Sequence, residues 1–283
     1  MKALKLFVIL SVFLVVCISN AYANTYGTEI TIYDGVAQSP NGINNAAPHE
    51  DNETGTQMYQ SQAWDLEGFF LNGKNLTIVG GFNFYTGHEN MMAGDIFIDT
   101  NGDAVYSPAT ISGHTYSPYE HVTNGLFKYD YVLDVNWAGG TFNIVQLHST
   151  SILEDTAYGS DYNIPSNPWI YLSGADDVII YSGIFSNYGK ASMADTGFDG
   201  WSDGTGYAYW TSDGAGKHYV ATFDINAIDL SNGAVFHNTM ECGNDNLMGK
   251  LTGTGHDDKV PEPATMLLLG LGLLGVAAIR RKF

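Results

Sequence analysis

The residues whose types and spacing best suit a cation lie near the middle of the chain. Gly94-Asp95-Ile96-Phe97-Ile98-Asp99-Thr100-Asn101-Gly102-Asp103 puts Asp99, Asn101 and Asp103 at positions 1, 3 and 5 of a calcium-loop pattern. In that pattern alternate side-chain oxygens converge on one hard ion. The match is incomplete: Ala104 stands where such a loop has glycine, and Thr110 where it has a bidentate glutamate. The same segment reads as a β-hairpin, because Asn101-Gly102 between strand-like runs is a favoured two-residue turn. A second segment, Phe198 to Trp210, interleaves aromatics with Asp199, Asp203 and glycines. Trp201, Tyr207, Tyr209 and Trp210 there offer flat faces on which sugar rings could stack, with carboxylates beside them for hydroxyls. The alternation of Tyr207 and Tyr209 suits core-facing strand residues equally well.

Other chemistry finds less support. The eight histidines show no His-Glu-x-x-His pattern and no paired cysteines, so zinc has no recognisable ligand set. His237 and Cys242 could form a base and a nucleophile, but their odd separation puts them on opposite sides of a strand. Asp65 with Glu67, or Asp176 with Asp177, could be picked as a hydrolase pair, but only geometry gives such a pair meaning. There is no Gly-x-Ser-x-Gly elbow and no phosphate-cradling glycine loop. The sequence therefore names no catalytic residue, and the expectation is a non-enzyme.

Composition narrows the class further. Thirty acids against 11 bases give a formal charge of −19, which excludes the basic face that nucleic-acid binding requires. The only arginines are Arg280 and Arg281. Charged residues make up 14% of the chain, beside 33 glycines and 18 tyrosines. That is too aromatic for disorder and too poor in helix formers for a bundle. Past Cys17 only Cys242 remains, so the body cannot be stapled by an internal disulfide.

The elements that must position these residues are strands. Phe127, Tyr129, Tyr131, Leu133, Val135 and Trp137 alternate with Lys128, Asp130, Asp134 and Asn136, the pattern of one half-buried strand. Further strands are expected at Glu29–Tyr33, Leu76–Phe84, Asp95–Asp99, Thr141–Leu147, Trp169–Leu172, Val178–Phe185, Tyr207–Thr211, Lys217–Asp224 and Ala234–Glu241. Ala37–Gln62, Thr150–Pro168 and Gly189–Gly206 read as loops. The expectation is an all-β, single antiparallel β-sandwich or jelly-roll-like domain over residues 24–248.

Both ends read as addresses. Lys2 and Lys5, an apolar run from Leu6 to Ile18, and small residues Ala21 and Ala23 form a signal peptide over 1–23, cut after Ala23. A Gly/Thr/Asp-rich linker, 249–259, leads to Val260-Pro261-Glu262-Pro263, an apolar run over 264–279 and Arg280-Arg281-Lys282. Sixteen helical residues rise about 24 Å, a thin but feasible transmembrane helix. The basic residues after it belong on the cytoplasmic side, so the body lies outside.

Pro261-Glu262-Pro263, the glycine-containing apolar run and Arg280-Arg281 together resemble the PEP-CTERM sorting signal of Gram-negative bacteria, over residues 260–283. A Cys-Gly-Asn-Asp stretch shortly before the tail, Cys242 to Asp245, resembles many proteins that carry that signal. The resemblance implies processing by exosortase, a membrane peptidase, and delivery to the cell surface or an exopolysaccharide matrix. It implies no activity for the body. The expected function is a non-catalytic surface or matrix component, transiently held in the inner membrane, that binds calcium or contacts exopolysaccharide. The alternatives are a jelly-roll glycan-active hydrolase and an adhesin or protein-binding module.

Overall fold

The computed structural model describes residues 26–32, 62–105, 117–158, 166–191 and 218–253. Among them the chain forms antiparallel strands in three sheets, labelled here in chain order. The five-stranded sheet runs β1 (Thr28–Glu29), β3 (Leu66–Asn72), β4 (Asn75–Gly80), β13 (His218–Asp224), β12 (Ser186–Ala191). The seven-stranded sheet runs β11 (Val178–Ile184), β8 (Thr141–Gln146), β7 (Tyr131–Asn136), β5 (Ile96–Asp99), β14 (Gly233–Thr239), β15 (Asn246–Thr252), β2 (Thr31–Ile32). The three-stranded sheet runs β10 (Ile170–Ser173), β9 (Ile152–Glu154), β6 (His121–Thr123).

Period-two alternation sorts side chains into layers. Phe69, Leu76, Ile78 and Phe223 of the five-stranded sheet meet Ile96, Ile98, Leu133, Ile144 and Phe236 of the seven-stranded sheet in the main core. Trp137 anchors it, stacked on Phe84 at 5.1 Å between ring centres, with its indole N–H given to the carbonyl of Gly94 at 3.0 Å. A buried indole without that acceptor would be costly. The residues between these, Phe97, Val132 and Val145, face the other way and pack on Val122 and Leu153 of the small sheet. The larger sheet is therefore buried on both faces over part of its width, and the small sheet forms a third layer.

Two segments close the sides of the sandwich by crossing from one sheet to the other. At Ile30 the chain leaves β1 and enters β2: the Ile30 amide donates to Phe69, and its carbonyl accepts from Lys250. At Phe185, which is buried, it leaves β11 and enters β12. Such corners are how a packed pair of sheets turns its edges. They leave β11 as an outer edge whose Ile179 and Ile184 are 59% and 80% exposed.

Glycines matter at two places. Gly73 (φ 63°) supplies the left-handed residue of the tight β3–β4 turn. Gly249 lets β15 approach the ring of Phe69, where a Cβ would come within 2.9 Å.

The all-β antiparallel expectation is met, with one strand read too long. The run from Phe127 to Trp137 is not a single strand. Lys128 takes a positive φ of 63°, β7 starts only at Tyr131, and the aromatics divide between two cores: Phe127 and Tyr129 pack on the small-sheet side, Trp137 in the main core. Strands β3, β6, β9, β12 and β15 lie where the sequence suggested none; β3 is buried over five successive residues, and β6 and β9 have only three residues each. β15 runs on through Gly249–Thr252, into residues whose composition suggested a linker. Tyr207–Thr211 lies outside the described residues.

Candidate functional site

The Asp99–Asp103 segment is a turn at the end of β5, held by its own hydrogen bonds and by the carboxylate of Asp130. Asp99 Oδ1 accepts the amides of Asn101 (3.1 Å) and Gly102 (2.8 Å), and Oδ2 accepts that of Ala104 (3.2 Å). Asn101 Oδ1 accepts the amide of Asp103 at 2.9 Å, while its Nδ2 donates to Asp130 Oδ1 at 2.8 Å. Asp130 Oδ2 also takes the amide and the hydroxyl of Thr100. Asp103 points outward, its carboxylate 4.0 Å from Lys128 Nζ. The three side chains thus share one turn, but Asp99 turns inward and is buried. No group of three or more His, Cys, Asp or Glu side chains placed to hold a metal occurs among the described residues.

This turn walls an open groove of about 800 Å³. The other wall is the β14–β15 ladder at its open end, with Asn232, Gly233, Lys250, Thr252 and Gly253. Small residues (Gly102, Gly233, Ala234 and Gly253) give the groove its width.

Two further clusters had no signal in the sequence. Ser151, His148 and Asp177 meet across two turns: Ser151 Oγ donates to Asp177 Oδ1 at 2.6 Å, and His148 Nδ1 lies 3.3 Å from the same oxygen. This is not a nucleophile arrangement, because the serine proton goes to the carboxylate and not to the imidazole. Ser151 is also fully buried, and its oxygen accepts the His148 amide at 2.8 Å, so the cluster ties the β8–β9 turn to the turn before β11. On the small sheet, Glu154 Oε2 lies 3.0 Å from His121 Nε2, and its Oε1 accepts the indole N–H of Trp169 at 3.2 Å. Nearby, Glu241 Oε1 accepts the hydroxyl of Tyr119 at 2.8 Å, an interaction that pushes the phenol up to about 12.

Buried titratable groups mark the layer between the two outer sheets. Burial pushes Asp95 up from 3.8 to about 8, helped by the charge of Asp134. Its two oxygens accept the amides of Val135 (2.9 Å) and Tyr171 (2.8 Å), joining β7 to β10. Burial, with Glu120 and Glu154 nearby, raises Asp155 from 3.8 to about 7. A carboxyl of that character suits an acid catalyst, yet Asp155 is 1% exposed and offers substrate no approach. His237, 3.0 Å from the hydroxyl of Tyr129, is pushed down from 6.5 to about 4 by burial. His237 faces the small-sheet side, whereas Cys242 packs in the main core with its thiol raised to about 12 by burial. The structure does not bring that pair together.

Trp201, Tyr207, Tyr209 and Trp210 lie outside the described residues, as do Ala21, Ala23, Pro261, Glu262, Pro263, Arg280 and Arg281. Among the described residues no helix is long and apolar enough to cross a membrane; the apolar run over 264–279 is not among them.

Comparison with protein families matches residues 259–282 to the PEP-CTERM protein-sorting motif. Comparison with curated proteins and with solved structures finds no match. The chain therefore carries a PEP-CTERM sorting motif behind an all-β body.

Proposed function

We propose that this is a non-catalytic surface or matrix protein, exported, held by its apolar tail and released by exosortase. The observation that carries the reading is the sorting motif at residues 259–282, which begins shortly after β15 ends at Thr252. A folded acidic body followed at once by a short tether, an apolar run and a basic terminus is the order a stop-transfer anchor requires. The non-catalytic part is supported by the Ser151–His148–Asp177 geometry and by the burial of Asp155. Calcium or exopolysaccharide contact is the finer part of the proposal, at the Asp99–Asp103 turn and the Trp201–Trp210 segment respectively. In a host lacking exosortase, the full-length chain should accumulate in the membrane fraction. Unchanged release in that host would sink the sorting claim.

A further inference from the structure

We infer that, while the tail is intact, the body stands on the membrane by one end: the end formed by the Asp99–Gly102 turn, the Asn72–Asn75 turn and Asn232–Gly253. The inference rests on the anchoring reading above. The register fixes which residues share that end. Gly233 pairs with Thr252, Val235 with Asp99, and Ile98 with Tyr131. In the facing sheet Leu66 donates to Asp245 at one end of β15, and Phe69 packs beside Gly249, so Asn72 comes level with Thr252. The opposite end carries the β7–β8 turn at Ala138 and the residues around Tyr219 and Gly80.

Only ten residues, 254–263, separate the last described residue from the apolar run at Ala264. Fully extended they reach about 35 Å; as a flexible coil they span roughly 17 Å. A seven-residue strand alone is about 23 Å long. A link of only ten residues therefore keeps the near end closer to the bilayer than the far end, which lies about a strand's length beyond it.

Charge favours the same orientation. The described residues hold four lysines and no arginine, and Lys74, Lys128 and Lys250 all belong to this end; Lys190, paired with Tyr219, belongs to the other. Glu29, Asp99, Asp103, Asp130, Asp176, Asp177, Asp224 and Asp229 stand with the three lysines, so eight acids face three bases at this end. The rest of the described body sets its acids against Lys190 alone. An anionic lipid surface repels that remainder and repels this end least. The groove beside Asp99 then opens toward the bilayer until the tail is cut.

The test uses the chain without its signal peptide and with its tail intact, in anionic vesicles containing a headgroup-labelled quencher lipid. A fluorophore is placed at Asn232→Cys or at Ala138→Cys, both exposed; the buried thiol of Cys242 does not compete. Quenching should be several-fold stronger at position 232. Inserting 30 Gly/Ser residues after Gly253 should abolish the difference. Equal quenching with the native tether, or stronger quenching at 138, overturns the orientation. If the chain fails to float with the vesicles at all, it is the anchoring reading that falls.

Discussion

At the residue scale the molecule is set by buried groups that no local pattern announces. Asp95, Asp155 and His237 titrate far from their ordinary values because burial penalises charge, and their effects on stability run in opposite directions. His237 is lowered from 6.5 to about 4, so the folded state binds its proton less readily than the unfolded chain. Its contribution is present above pH 6.5 and is lost as pH falls from 6.5 toward 4, by roughly 3 kcal/mol in all. Asp95 and Asp155 are raised from 3.8 to about 8 and about 7, so stability is lost as pH rises from 3.8 through those values. Denaturation midpoints followed against pH should show the loss between 6.5 and 4 reduced in His237→Gln, and the loss toward pH 8 reduced in Asp95→Asn. A profile unchanged in both variants would contradict the assigned causes. None of this was legible in the sequence. Tyr129 and His237 are 108 positions apart, and Val135 and Tyr171, which donate to Asp95, lie 40 and 76 positions from it, so only the fold brings them together. The polar turn residues were legible, since Asn101-Gly102 and Asp99 announce a turn through chemistry contained in five residues.

At the element scale the alternation in Thr141–Leu147, Val178–Phe185 and Ala234–Glu241 gave strands close to those observed. It failed for β3, where Leu66 to Phe70 are all buried and no alternation survives. It overran at Phe127–Trp137, where both sets of aromatics find a core but different ones. The turn after β5 carries a prediction of its own. Its three inward amides are satisfied by the Asp99 carboxylate. Asp99→Ala in EDTA should cost about 1–3 kcal/mol by leaving those amides without their acceptor. That is measurable by urea denaturation, and adding calcium should not restore it. A calcium-dependent rise in wild-type Tm that the variant lacks supports the proposed ion contact at this turn; no rise in wild type removes calcium from the proposal.

At the scale of the whole molecule, an acidic three-layer β-body precedes a sorting motif at residues 259–282. The body's architecture followed from period-two patterning and turn residues, and the tail from Pro261-Glu262-Pro263 with Arg280 and Arg281; what the body touches outside the cell was not written in either. The central claim is that the tail is removed in transit. The measurement that tests it most directly is the intact mass of the protein released into the medium of exosortase-bearing cells. The account predicts a chain beginning near Asn24 and ending near the Pro-Glu-Pro segment, without the apolar run and Arg280-Arg281-Lys282. A released chain that still ends at Phe283 would contradict it.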